Sequence, residues 1–391
     1  MGALPEVASV RGELRSGTAP GLDVAALAVL ASADRQELLR RRRLADSVAA
    51  AVAEAGFARH FVPRRFGGSA AGFGELLEAA AGIAETCAST AWCATLFAAH
   101  GRLAAYLPEA GQRDLWGAGP NVRIAASIVP PQGEAIAEAD GWRLTGSWAF
   151  ASGVDHAEWV LLASRTPGEG EAGHRVFAVP RGQVTVADTW RTTGLRGTGS
   201  NAVRARDVFV PARRSFSFAD LGRVDQGAAR CHRVPYALVG SLMFALPALG
   251  AARGALLDWR AAMSLKRRPD GTSAAAGSGA RRVMARSAAL VHSAELLLRG
   301  ATHRADHAEA TALVVAENRR DAALAVELCA EAVDGLWRGL GAGGLAEDDP
   351  VLLRRNDIAA IASHAALGFD SAADAYAQAL FTVPGPRGAA Q

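Results

Sequence analysis

The sequence predicts an α+β protein in three consecutive parts: an N-terminal helical domain, a central antiparallel β-barrel and a C-terminal four-helix bundle. Three observations carry this. Apolar residues recur at intervals of three and four from about residue 22 to 116, short runs divided by Gly, Pro and Asp replace them from about 122, and helical periodicity returns after about 216. The domain boundaries are placed at 1–121, 122–215 and 216–391.

The first part is rich in Ala, Leu, Glu and Arg, as in "LADSVAAAVAEAGF" and "GELLEAAAGIAETCASTAWCATLFAAHGRLAAYL", a composition of good helix formers. In the second, "WRLTGSWAFAS", "EWVLLAS", "HRVFAVP", "QVTVADTW" and "AVRARDVFVP" read as strands spaced closely enough for a small antiparallel barrel or sandwich. The third holds "VGSLMFALPALGAARGALLDWRAAM", "RRVMARSAALVHSAELLLRGA", "AENRRDAALAVELCAEAVDGLW" and "DIAAIASHAALGFDSAADAYAQAL", four helices in succession that imply an antiparallel bundle. Between the first two of these, "RRPDGTSAAAGSGA" predicts a mobile loop.

Composition excludes several classes. Lys and Arg number 42 against 39 Asp and Glu, a net charge of +3, and the only basic clusters are Arg40 to Arg43 and "LKRRPDG". These read as a solvated helix face and a loop, so no nucleic-acid partner is expected. Cys87, Cys93, Cys231 and Cys329 form no CxxC pair and are expected to be free thiols of a reducing compartment. "MGALPEVASVRGELRSG" lacks the apolar core of a signal peptide, and no uninterrupted apolar run reaches the roughly 18 residues of a membrane span. A cytoplasmic protein without membrane attachment is the expectation. His303 and His307, four apart, lack a third ligand and the HExxH glutamate, and no metal site is predicted.

The glycine-rich "TTGLRGTGSNAVRARDVFVP" (192–211) poses the question of a phosphate loop. Such a loop needs a strand before the glycines and a helix after them. Here a strand pattern follows instead, and Gly194, Gly197 and Gly199 are spaced GxxGxG. A dinucleotide-binding phosphate loop is therefore not expected here.

In the order α, β, helical bundle, and in "VPRRFGG" (62–68), "STAWCATLFAAHG" (89–101), "LTGSWAFASGVDHAEWVLLAS" (144–164), "GLRGTGSNAV" (194–203) and "IASHAALGFD" (361–370), the chain resembles the acyl-CoA dehydrogenase superfamily. Within that fold it is most similar to the two-component flavin-dependent monooxygenases. The resemblance implies a hydroxylase that takes reduced flavin, FMN or FAD, from a separate reductase and uses O2, through a hydroperoxyflavin, to hydroxylate a small organic substrate. It implies that Phe150 lies against the flavin, that Ser152 bonds the flavin N5, and that Ser127, Thr198 and Ser200 line the same cofactor. It places His364, on a helix of the last segment, beside the reactive edge as a proton manager, and His100 in the pocket toward the substrate. Leu96, Phe97, Met243 and Phe244 are the candidate substrate walls. The resembled proteins are dimers of dimers, and a homotetramer is expected through the last helices, with Leu324, Val326, Leu336 and Trp337 as candidate contacts.

Two alternatives remain on this scaffold, an acyl-CoA dehydrogenase and a non-catalytic assembly protein. A dehydrogenase needs a carboxylate to take the α-proton of the thioester. The resembled Tyr-Glu-Gly-Thr motif is absent, the first bundle helix has no Glu, and only Asp370 and Asp374 could substitute. The arginine motif that holds the FAD pyrophosphate is not recognisable after "DWRAAM". The chain also departs from the hydroxylase pattern Pro-Leu-Gln-Arg, carrying "PVLLRRND" with Leu352 and Leu353 at the Gln-Arg positions and Asn356 before Asp357; either Arg354 or Arg355 compensates in a shifted register or contacts in that region are lost.

Overall fold

Among the described residues six helices precede the first strand: α1 (Ala25–Ala33), α2 (Arg35–Arg41), α3 (Asp46–Glu54), α4 (Phe73–Ala84), α5 (Ala88–Ala104) and α6 (Glu109–Trp116). The computed structural model describes residues 22–166, 173–223 and 228–382; the N-terminal stretch read for a signal peptide lies outside them. In α5 every residue but Ala99 is buried, because the helix is enclosed by α4, by the first bundle helix and by the sheet.

The sheet comprises β1 (Ile124–Ser127), β2 (Glu134–Glu138), β3 (Gly141–Ala151), β4 (Trp159–Arg165), β5 (His174–Pro180), β6 (Thr185–Ala187), β7 (Asn201–Pro211) and β8 (Ser215–Ser217). Its order is β6-β7-β3-β2-β4-β5-β8, with β1 beside β4. The expected antiparallel barrel needs correction. β1 and β2 run parallel to β4, and the end strands β6 and β8 do not pair, so the sheet is mixed and open among the described residues. Both faces of β4 are covered: Val160 and Leu162 join one apolar cluster with Trp148 and Phe177, while Leu161 and Ala163 join another with Trp116 and Phe216. That double burial explains why "WVLLA" is continuously apolar.

Among the described residues five helices follow where four were expected: α7 (Tyr236–Leu265), α8 (Ser278–His307), α9 (Ala312–Leu340), α10 (Pro350–Ala362) and α11 (Phe369–Thr382). α7 to α10 pack together and α11 lies along α9. The stretch read as one last helix breaks at 363–368, where a 3₁₀ turn (Ala365–Leu367) intervenes. α7 has the length and hydropathy of a membrane span, and 83% of its most apolar window is buried inside the protein against α4, α5, α8, α9 and α10. The loop between α7 and α8, expected to be mobile, is a built turn: Arg268 and Thr272 are joined by a backbone bond of 2.9 Å, and Asp270 accepts from the Thr272 N–H at 2.9 Å. Of the apolar residues expected at an assembly surface, Val326 and Leu336 are core, and Trp337 is engaged with the Gly344 carbonyl at 2.7 Å.

Candidate active site

α5, β1, the end of β3, the 190–195 loop, α7 and the α10–α11 turn enclose a cavity of about 1700 Å³. α5 contributes Trp92, Leu96, Ala99, His100 and Leu103, residues three and four apart and so on one helical face. α7 adds Tyr236, Gly240, Met243 and Phe244 by the same spacing. Ser127, Phe150, Ser152, Ser200 and His364 complete the predicted residues that the structure brings together.

Two predicted residues stand elsewhere. Phe97 follows Leu96 by about 100° of helix turn, is fully buried and faces the turn after β3, where a Cβ on Gly153 would lie 2.8 Å from its ring. It is core, not cavity wall. Thr198 is also buried and does not line the cavity; its hydroxyl lies 2.6 Å behind that of Ser200. Asp370 and Asp374 are exposed on α11, and no carboxylate lines the cavity among the described residues, where Arg319 is the sole formally charged lining side chain.

One wall is a row of hydroxyls. Trp92 Nε1 donates to Ser152 Oγ at 3.0 Å, Ser152 Oγ lies 2.7 Å from Ser200 Oγ, and Thr198 Oγ1 donates to the Leu195 carbonyl at 2.9 Å. Ser127 donates to the Ala149 carbonyl at 2.8 Å, which leaves its oxygen as an acceptor at the wall. Beside this row Phe150 stands at φ 62°, a conformation costly for an aromatic residue, at an irregularity of the β3–β7 pairing. The residue is 71% exposed, and its ring stands T-shaped to that of Trp190 with centroids 6.3 Å apart.

The two histidines have opposite hydrogen-bonding states, assigned from the bond each makes. His100 Nδ1 is 2.7 Å from the Ile124 carbonyl, so Nδ1 carries the proton and Nε2 is an acceptor. His364 is not on a helix as expected. It caps the 3₁₀ turn, with Nδ1 accepting the Ala366 N–H at 3.2 Å, so in the neutral ring the proton sits on Nε2. Burial holds both pKa values down, to about 4 each, and both rings are neutral near pH 7.

The glycine loop is built for proximity. A Cβ on Gly194 would lie 1.9 Å from the Asn356 carbonyl and one on Gly197 2.0 Å from Leu38, while Gly199 has φ 53°. Leu195, itself left-handed at φ 48°, gives its N–H to Asp357 Oδ1 at 2.7 Å. Burial raises the Asp357 pKa to about 6. Arg354 and Arg355 do not compensate at the cavity: Arg354 pairs with Asp258 at 2.6 Å and Arg355 with Asp334 at 2.9 Å. Asn356 does line the cavity. Sequence reasoning missed Trp92, Trp190 and Arg319; for Trp92 the signal was its stripe with Leu96, Ala99 and His100.

The FADH2-dependent resorcinol hydroxylase oxygenase component of Rhizobium sp. (strain MTP-10005) is 31% identical to this chain over 374 residues, covering 89% of the chain and 90% of the relative. The chain belongs to the flavin-dependent monooxygenase branch of the acyl-CoA dehydrogenase superfamily. The sequence profile of the acyl-CoA dehydrogenase C-terminal domain matches the monooxygenase over residues 242–369. The crystal structure of 3-HSA hydroxylase from Rhodococcus sp. RHA1 superposes with a TM-score of 0.84 at 28% identity, covering 92% of this chain and 96% of that one. XiaF from Streptomyces sp., solved with FADH2 and glycerol, gives a TM-score of 0.85 at 26% identity, covering 92% and 94%. The monooxygenase is thus an oxidoreductase that works with reduced flavin and O2 on a small-molecule substrate, the flavin being reduced by a separate protein.

Proposed function

We propose that the cavity holds the reduced flavin against Ser127, Phe150, Ser152 and Ser200, and that the enzyme hydroxylates a phenol or similarly electron-rich aromatic ring seated between α5 and α7. The residues fit the cofactor: a flat polar heterocycle needs an apolar face and hydrogen-bonding edge groups, and the exposed Phe150 ring beside the hydroxyl row supplies both. When bound, the flavin supplies the oxygen-activating chemistry. The chain's part is to bind and orient the two rings, exclude water and hold protons at named atoms.

The observation that carries the substrate class is the pairing of His100 and His364. His100 Nε2 accepts a phenolic O–H; with its pKa near 4 against about 10 for a phenol, it takes the proton only as the ring gives up electron density. His364 Nε2–H offers a donor near the apolar wall of Met243 and Phe244. The relatives' names agree, resorcinol hydroxylase and p-hydroxyphenylacetate 3-hydroxylase of Acinetobacter baumannii among them. The test is anaerobic loading with reduced FMN or FAD, followed by O2 with resorcinol or p-hydroxyphenylacetate and product analysis. A hydroxylated phenol supports the reading, and hydroxylation confined to non-phenolic compounds overturns the substrate class.

The dehydrogenase alternative is disfavoured because Asp370 and Asp374 lie outside the cavity. Changing either to Asn should leave hydroxylation unchanged. A homotetramer in the cytoplasm is part of the proposal. Its support is the apolar surface of the bundle, where Phe381 is 86% and Leu265 79% exposed. Sedimentation at micromolar concentration tests it, and a monomer would refute it.

A further inference from the structure

We infer that Thr198, which the cavity does not reach, is a positioning residue: acting through Ser200 it holds the Ser152 hydroxyl with a lone pair and no proton toward the flavin N5, and so sets how strongly the pocket favours the reduced ring. The inference rests on the proposal that N5 lies at Ser152. It follows from counting protons, since each hydroxyl has one to give.

The Leu195 carbonyl fixes the far end. Its residue is held in place by the Asp357 bond to the Leu195 N–H, and the oxygen also accepts from Trp190 Nε1 at 3.0 Å and from the Thr198 N–H at 3.1 Å. Thr198 gives its hydroxyl proton to this carbonyl at 2.9 Å, so at its 2.6 Å contact with Ser200 it can only accept. Ser200 then has no proton for Ser152, and across their 2.7 Å contact Ser152 must be the donor. At the near end Trp92 Nε1–H, which is donor-only, points its proton at Ser152. Every bond in the row runs one way, from Trp92 through Ser152, Ser200 and Thr198 to Leu195. Reversing it would set Thr198 Oγ1 and the Leu195 carbonyl, 2.9 Å apart, lone pair against lone pair.

Ser152 is left with one unused lone pair. Reduced flavin carries a hydrogen on N5 and satisfies it; oxidised flavin has only a lone pair there and meets an acceptor. Ser152 is the contact residue, and Thr198 and Ser200 are positioning residues that act through it.

The experiment measures dissociation constants for oxidised and for dithionite-reduced FMN and FAD under anaerobic conditions, with the midpoint potential of the bound flavin. Wild type should bind the reduced form at least tenfold more tightly. Thr198→Val keeps the shape but removes the hydroxyl, freeing Ser200 and hence Ser152 to turn and donate; the ratio should fall about tenfold, as for one neutral hydrogen bond. The potential should drop by about 30 mV for that tenfold change. Thr198→Ser should restore both values, and Ser200→Ala should reproduce the loss without touching residue 198. A ratio unchanged in folded Thr198→Val and Ser200→Ala, or lost equally in Thr198→Ser, overturns the inference. Ser152→Ala separates the two levels: if it weakens reduced-flavin binding while residue 198 has no effect, only the polarity fails. If it changes the binding of neither form, the flavin is not placed at Ser152 and both fail.

Discussion

The imidazole of His364 lies on the ring of Phe244, with centroids 3.7 Å apart and planes 24° from parallel. A residue of the α10–α11 turn is thereby oriented by a residue of α7. The stack fixes the ring plane, the Ala366 N–H fixes Nδ1, and Nε2–H is the one group left for chemistry. His364→Asn should preserve the cap, since Asn also accepts from a turn N–H, and remove the Nε2–H. Product formation with a flavin reductase present should fall on the order of a hundredfold, while circular dichroism and melting stay close to wild type.

His100 lines the same cavity from α5 and is the acceptor. His100→Phe removes it while keeping bulk, and hydroxylation of a phenol should drop on the order of a hundredfold. The corresponding phenyl methyl ether has no proton to give, so its slower turnover should be indifferent to the change. Equal loss for phenol and ether would refute the acceptor role.

Stability should fall as the solution is acidified from about pH 6.5 to about pH 4. The folded pKa values of His100 and His364 are about 4 against an ordinary 6.5, so in that window the unfolded chain takes protons that the folded one refuses. Asp357 works the other way: with a folded pKa of about 6 against 3.8, the folded state binds its proton first and gains stability as pH falls between those values. Asp357→Asn should therefore steepen the acid loss and His100→Phe should flatten it, read from denaturant midpoints at a series of pH values.

Gly194→Ala should destabilise the chain by about 1–3 kcal/mol, the usual cost of overpacking, because the new methyl would lie 1.9 Å from the Asn356 carbonyl and the loop or α10 must move. Denaturant unfolding measures the loss. Gly182→Ala, with open space around its Cβ, is the control and should change little.

The long elements were legible because their periodicity is long: β3 and β7 have 11 residues each and the bundle helices α7 to α9 run for 29 or 30. β1, β2 and β8 were not, since they have four, five and three residues and β2 buries only Ala135. Phe97 was misplaced because α5 is buried almost all round, which erases the polar face that tells one side of a helix from another. His364 was read into a helix because "ASHAAL" is made largely of helix-compatible residues; the break there depends on packing against α7. The hydroxyl row could not be read at all, since Trp92, Ser152, Thr198 and Ser200 come from three separate segments and their proton order exists only once they touch.

Leu195 has its N–H on a side chain of α10, its carbonyl under Trp190 and Thr198, and its own backbone in a left-handed turn. A fraying of α10 would release that carbonyl and, with it, the direction of every hydroxyl up to Ser152. The redox preference of the pocket is in this sense tied to how α10 packs on the glycine loop: where the Asp357 bond to the Leu195 N–H opens, the last acceptor of the row is no longer held and the hydroxyls are free to reverse.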